Sequence, residues 1–121
     1  MSETETRTET ETEAGAEVEL PTIYVGKKPL MNYVIAAMTQ FMSQGADKIR
    51  VVARGRAISR AVDVAEVLRT RYLPGIVDVE SVRIGTDQIQ NPQNPERIDR
   101  VSTIEIVLVK KRELIPTAKQ E

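Results

Sequence analysis

The hydrophobic pattern starts only at Leu20 or Pro21, after nineteen residues built mainly from threonine and glutamate. Residues 22–25, Thr-Ile-Tyr-Val, read as a short strand that Gly26 ends. Pro29 suits the first position of a helix. From residue 30 to 43 the positions Leu30, Val34, Ala37, Met38 and Phe41 keep a helical period, and Gly45 is the natural stop. Met31, Ile35 and Met42 fill the opposite side, so this helix is expected to be buried on two sides, against its own sheet and against something else. Residues 48–54 alternate, with Ile49, Val51 and Ala53 on one face, and predict a second strand. Ile58, Ala61, Val62, Ala65, Leu68 and Tyr72 trace a second amphipathic helix, closed by Pro74-Gly75.

Two longer strands follow. Across residues 76–85 the apolar parity changes from Val77 and Val79 to Val82 and Ile84. A slip of one residue flips the faces of a strand, so a β-bulge is predicted at Glu80-Ser81. Residues 101–110 form the last strand, with Ile104, Ile106 and Leu108 inward. Between them, residues 86–100 carry Asn91-Pro92 and Asn94-Pro95 and are expected to form a long, mobile hairpin loop. The order β-α-β-α-β-β implies an α/β fold, a two-layer sandwich in which two helices cover one face of a mixed sheet. If strands one and two run parallel, their crossover is right-handed. The 121 residues suffice for one domain. The expected division is an acidic, disordered segment at 1–19, the folded domain at 20–112 and a frayed tail at 113–121.

Composition narrows the chemistry. The hydrophobic fraction of 40% is low for a globular chain, and the polar first nineteen residues account for much of the deficit. The chain has no cysteine and no histidine. That removes disulfides, thiol nucleophiles, histidine triads and most zinc or copper sites, so neither an enzyme nor a cofactor or metal is expected. No apolar run approaches the roughly 18 residues of a membrane span, and no secretory leader is visible, which points to a soluble, cytoplasmic protein with no membrane partner. The net charge of −1 conceals two opposed segments. Residues 1–19 hold seven glutamates and one arginine, a net of −6, while residues 20–121 hold 16 basic and 11 acidic side chains, a net of +5. The folded part is therefore a basic domain, and the acidic segment is expected to compete with any anionic ligand for it.

The cations are clustered. Lys27 and Lys28 fall in the first strand-to-helix turn, Arg54 and Arg56 in the second, and Arg60 one helical turn later. With parallel strands both turns emerge at one sheet edge. Gly55 leaves room for a phosphate backbone between two arginines, and helix N-termini near Pro29 and Ala57 point partial positive charge the same way. Phosphate uses lysine points, arginine forks and helix N-termini together. A lone Lys-Lys pair is most often just solvated charge, so the argument rests on the coincidence of both clusters. Arg97 and Arg100 alternate with Glu96 and Asp99, and a minor-groove arm and a solvated loop are equal readings there. Asp63 and Glu66 stand at helical spacing beside Arg60 and Arg69 and read as surface ion pairs. The aromatics are Tyr24, Tyr33, Phe41 and Tyr72, and only Tyr24 is expected on a strand. A multi-aromatic platform that stacks successive bases is therefore disfavoured against a grip on the backbone of structured or duplex nucleic acid.

Ile23-Tyr24-Val25-Gly26-Lys27-Lys28-Pro29-Leu30-Met31-Asn32-Tyr33-Val34 resembles the opening of the Alba family of archaeal chromatin proteins. So do Ala53-Arg54-Gly55-Arg56-Ala57-Ile58-Ser59-Arg60-Ala61-Val62-Asp63, Arg71-Tyr72-Leu73-Pro74 and Arg100-Val101-Ser102-Thr103-Ile104-Glu105-Ile106, in order over residues 20–112. The resemblance implies the fold of the C-terminal domain of a bacterial translation initiation factor. It also implies a homodimer that binds double-stranded DNA and RNA without marked sequence preference, condensing the chromosome with which it associates. It maps nucleic-acid contacts onto Lys27, Lys28, Arg54 and Arg56 and a minor-groove arm onto residues 86–100. Asn32, Tyr33, Arg60, Arg97 and Arg100 complete the candidate binding set. The resemblance further implies a contact between dimers on DNA at Tyr72, and acetylation of Lys27 or Lys28 by a partner acetylase and deacetylase. The alternative function is RNA processing or RNA structure maintenance, as in ribonuclease P-type particles. Either the second face of the first helix or the last strands, with Val107 and Val109 outward, is the expected dimer interface.

Overall fold

The computed structural model describes residues 19–111. The first strand, β1, spans Thr22–Tyr24, and Pro29, whose ring presets its φ at −59°, leads into α1 at Leu30–Met42. Tyr33, Val34, Ala37 and Phe41 form the buried stripe of α1. Strand β2, Lys48–Arg54, alternates as expected, with Ile49, Val51 and Ala53 buried. A 3-10 turn, Gly55–Ala57, opens α2 at Ile58–Val67, which continues as a π-helical turn over Leu68–Tyr72. Strands β3, Val77–Asn91, and β4, Asn94–Lys110, complete a sheet of order β1-β2-β4-β3. Strand β1 is parallel to β2, and the other pairings are antiparallel. Both helices pack on the face that carries Ile49, Val51, Ile104, Ile106 and Leu108, giving the two-layer α/β sandwich that the element order implied.

The predicted bulge is present. Val79 lies opposite Leu108 and Ser81 opposite Val107, which leaves Glu80 as the extra residue. Val82 and Ile84 then pair with Ile106 and Ile104, so they stay on the same helix-facing side of the sheet as Val77 and Val79.

Residues 86–100 are not a loop. They form the outer half of the β3–β4 hairpin, paired from Thr86 opposite Ser102 to Gln90 opposite Ile98. The Asn and Pro residues that suggested a loop act only at its tip. Pro92 sits in the two-residue break between the strands, where no ladder N–H is needed. The stretch from Pro95 to Arg97 bulges between Asn94, opposite Asn91, and Ile98, opposite Gln90. The second face of α1 carries Met31, Ile35 and Met42, which are exposed in the single chain. One further reading needs correction. Tyr72, expected on the buried stripe of α2, is 43% exposed, while Leu73 is 3% exposed and packs into the core. The π turn, closed by Leu73 N donating to Leu68 O at 2.8 Å, inserts one residue and rotates the tyrosine outward.

The chain stays tied to the sheet as far as Lys111, whose backbone N–H donates to the carbonyl of Ile76. Residues 1–18 and 112–121, which contain nearly all of the two expected tails, lie outside the described residues. No helix among the described residues is long and apolar enough to cross a membrane.

Candidate nucleic-acid interface

Parallel pairing of β1 and β2 sends both strand-to-helix turns out of the same end of the sheet. The first turn, residues 26–29, is braced from two directions. The Tyr33 hydroxyl accepts the backbone N–H groups of Gly26 and Lys28, each at 2.9 Å. From α2, Arg60 Nη1 donates to the Gly26 carbonyl at 2.6 Å, which links the second turn to the first. The Lys27 and Lys28 side chains project from this braced loop into solvent. Among the described residues neither has a carboxylate within ion-pair distance.

In the second turn Gly55 has φ +62°, a left-handed conformation that strains any residue with a Cβ. That backbone demand adds to the steric reason for glycine between two arginines. Arg56 is exposed and unpaired among the described residues, while Arg54 Nη1 lies 3.3 Å from Asp87 Oδ2 on β3. Both partners are more than half exposed, so this pair contributes little stability and leaves the guanidinium available. Lys27, Arg54, Arg56 and Arg60 line one shallow groove of about 390 Å³. Neither α1 nor the 3-10 turn that opens α2 has a capping side chain or an acid in its first turn. Their free N–H groups keep their partial positive charge, the arrangement that receives phosphate.

Five of the candidates, Lys27, Lys28, Arg54, Arg56 and Arg60, are thus brought to one end of the sheet. Asn32 is exposed on the first turn of α1 beside them. Tyr33 has a buried ring, and its hydroxyl accepts the two backbone N–H groups that shape the lysine loop. Arg97 and Arg100 sit on the hairpin, which leaves the same end because β4 runs antiparallel to β2 with Thr103 opposite Arg54. Arg97 Nε is held by Asp99 Oδ1 at 2.9 Å. Residues 86–100 contain three acids and two bases, so the arm adds reach more than charge. Tyr72 lies outside this cluster, its hydroxyl 3.9 Å from Met31 Sδ on the open face of α1. Asp87, which holds Arg54, carried no signal in the sequence, since its position follows from a strand register that no local motif encodes.

The family model described as Alba matches residues 21–86, which contain both basic turns and the two helices. The chain belongs to the Alba family. It is 54% identical over 90 residues to DNA/RNA-binding protein Alba 1 of Archaeoglobus fulgidus, spanning 74% of this chain and 96% of that relative. With DNA/RNA-binding protein Alba of Nanoarchaeum equitans the identity is 52% over 92 residues, 76% of this chain and all of the relative. Among solved structures, Alba from Thermoplasma volcanium superposes with a TM-score of 0.65 at 45% identity, covering 73% of this chain and 98% of the other. An Alba protein of Trypanosoma brucei shares the fold at 23% identity, with a TM-score of 0.52 and coverage of 77% and 72%.

Proposed function

We propose that this Alba-family protein binds double-stranded DNA and RNA by the phosphate backbone, without sequence preference, and as a homodimer compacts and organises the chromosome in the cytoplasm. The observation that carries this reading is the convergence of two turns remote in sequence. They combine five cations and two uncapped helix starts in one surface. The names of the archaeal relatives, which join DNA and RNA, support the same ligand class. Filter binding to several unrelated duplexes tests it. The wild-type protein should hold all of them with closely similar affinity, and Lys27→Ala/Lys28→Ala should weaken every one to the same extent. Strong preference for one sequence would contradict the reading.

Two uncovered apolar patches support self-association. Val82 and Ile84, on the helix side of β3, are 55% and 78% exposed. On α1, Met31 and Ile35 are open beside Tyr72. Patches of this kind mark protein contacts more often than free surface. The β3 patch is the proposed dimer interface, and the α1 patch with Tyr72 the proposed contact between dimers on DNA. Ile84→Asp should convert the dimer to monomer in sedimentation equilibrium, whereas a dimer of unchanged strength would move the interface elsewhere. Lys27 and Lys28, exposed and unpaired among the described residues, are the proposed acetylation sites, where loss of charge by an acetylase would loosen the grip.

The relatives' joint DNA/RNA naming also carries a second reading, a role mainly in RNA processing or RNA structure maintenance. Crosslinking in cells followed by sequencing distinguishes the two by which nucleic acid dominates.

A further inference from the structure

Among the described residues no helix covers the far face of the sheet, and one aromatic stands on it. Tyr24, at the end of edge strand β1, is 75% exposed, which is unusual for the largest side chain in a three-residue strand. It forms one wall of a shallow slot of about 380 Å³ at the rim of that face, between the end of β1 and the root of the hairpin arm. Val25, Val52, Ala53, Arg54, Asp87 and Thr103 line the rest of it. The volume lies within the roughly 300–1,000 Å³ of small-ligand sites. Arg54 and Val25 line this slot and the cationic groove alike, so the two are contiguous. Arg54, 3.3 Å from Asp87, stands where the two meet.

The two halves ask for different chemistry. The groove of Lys27, Arg54, Arg56 and Arg60 attracts phosphate. The slot presents an aromatic face, a valine side chain and a carboxylate, which repels phosphate and accepts a neutral ring. A phosphate site joined to a ring site is a nucleotide site. A paired base inside a duplex has both faces covered by its neighbours in the stack, whereas an unpaired base beyond the end is free to enter the slot beside Tyr24. One aromatic serves one base, not a tract.

We propose that Tyr24 stacks a single unpaired nucleobase, at a strand end or overhang, while Arg54 and the basic turns hold the adjoining phosphates. This subsite rests on the nucleic-acid reading above and extends it from duplex to duplex ends.

The test uses the full-length protein and duplexes that carry a short single-stranded overhang, in DNA and in RNA versions. In one set the overhang nucleotides bear adenine, and in the other they are abasic, so the phosphate count is the same. Wild-type protein should bind the adenine overhang at least about fivefold more tightly than the abasic one, the low end of a base–aromatic stack. Tyr24→Ala should abolish that difference and leave affinity for the blunt duplex unchanged, and Tyr24→Phe should keep it. Gain in either nucleic acid supports the subsite. Equal binding of adenine and abasic overhangs by the wild-type protein, or a gain that survives Tyr24→Ala, would overturn it. Failure to bind the blunt duplex at all would instead contradict the nucleic-acid function itself.

Discussion

Tyr33 has its ring in the core and its oxygen under the lysine loop, where it accepts hydrogen bonds from Gly26 and Lys28. It sets the shape from which two cations project, without itself being one of the charges. Tyr33→Phe keeps the ring and removes the acceptor, leaving two half-buried N–H groups without their partner. We expect a loss of about 1–3 kcal/mol in stability by chemical denaturation, together with weaker duplex binding although no cation is changed. Unaltered stability and affinity would show that water replaces the hydroxyl at no loss. The cations were legible in the sequence because residue type and turn position suffice to place a charge on a loop. The bracing roles of Tyr33 and Arg60 were not, because each bonds a backbone group whose position exists only after the loop has folded. For the same reason Asp87 beside Arg54 had no signature.

At the level of elements, periodicity identified the two α-helices and the four strands of the described residues, and the parity change in β3 located its bulge. It failed where punctuation and pairing compete. Residues 86–100 contain enough Asn and Pro to suggest a loop, yet those residues occupy the tip and a local bulge while the ladder continues around them. The π turn at the end of α2 was also invisible, since one inserted residue in a helix needs no breaker in the sequence, and it moves Tyr72 from the core to the surface. The bulge has a consequence for assembly. Val77 is fixed in the core, so deleting Glu80 shifts the outer part of β3 by one residue and turns Val82 and Ile84 to the other face. If these two residues form the dimer interface, the deletion should raise the dimer dissociation constant by at least about tenfold, since each aliphatic side chain is worth about 1.5–3 kcal/mol when fully buried. Sedimentation equilibrium reads this directly, and an unchanged constant would remove β3 from the interface.

For the whole molecule, the deciding property is how charge is divided. The formal charge of −1 is the sum of −6 on residues 1–19 and +5 on the remainder, and the parallel β1–β2 pair then gathers much of the positive part at one end of the sheet. Deleting residues 1–19 should tighten duplex binding at low salt and matter less as salt screens the competition, which titrations at two ionic strengths would show. The same charge division makes the salt dependence of binding the most direct test of the central claim. For wild-type protein on a duplex, log K should fall linearly with log salt, with a slope of about 0.9 for each phosphate neutralised. Lys27→Ala/Lys28→Ala should reduce that slope by about 1.8 if both lysines hold phosphates. A slope that is flat in the wild-type protein, or identical in the double variant, would contradict a backbone grip by these turns.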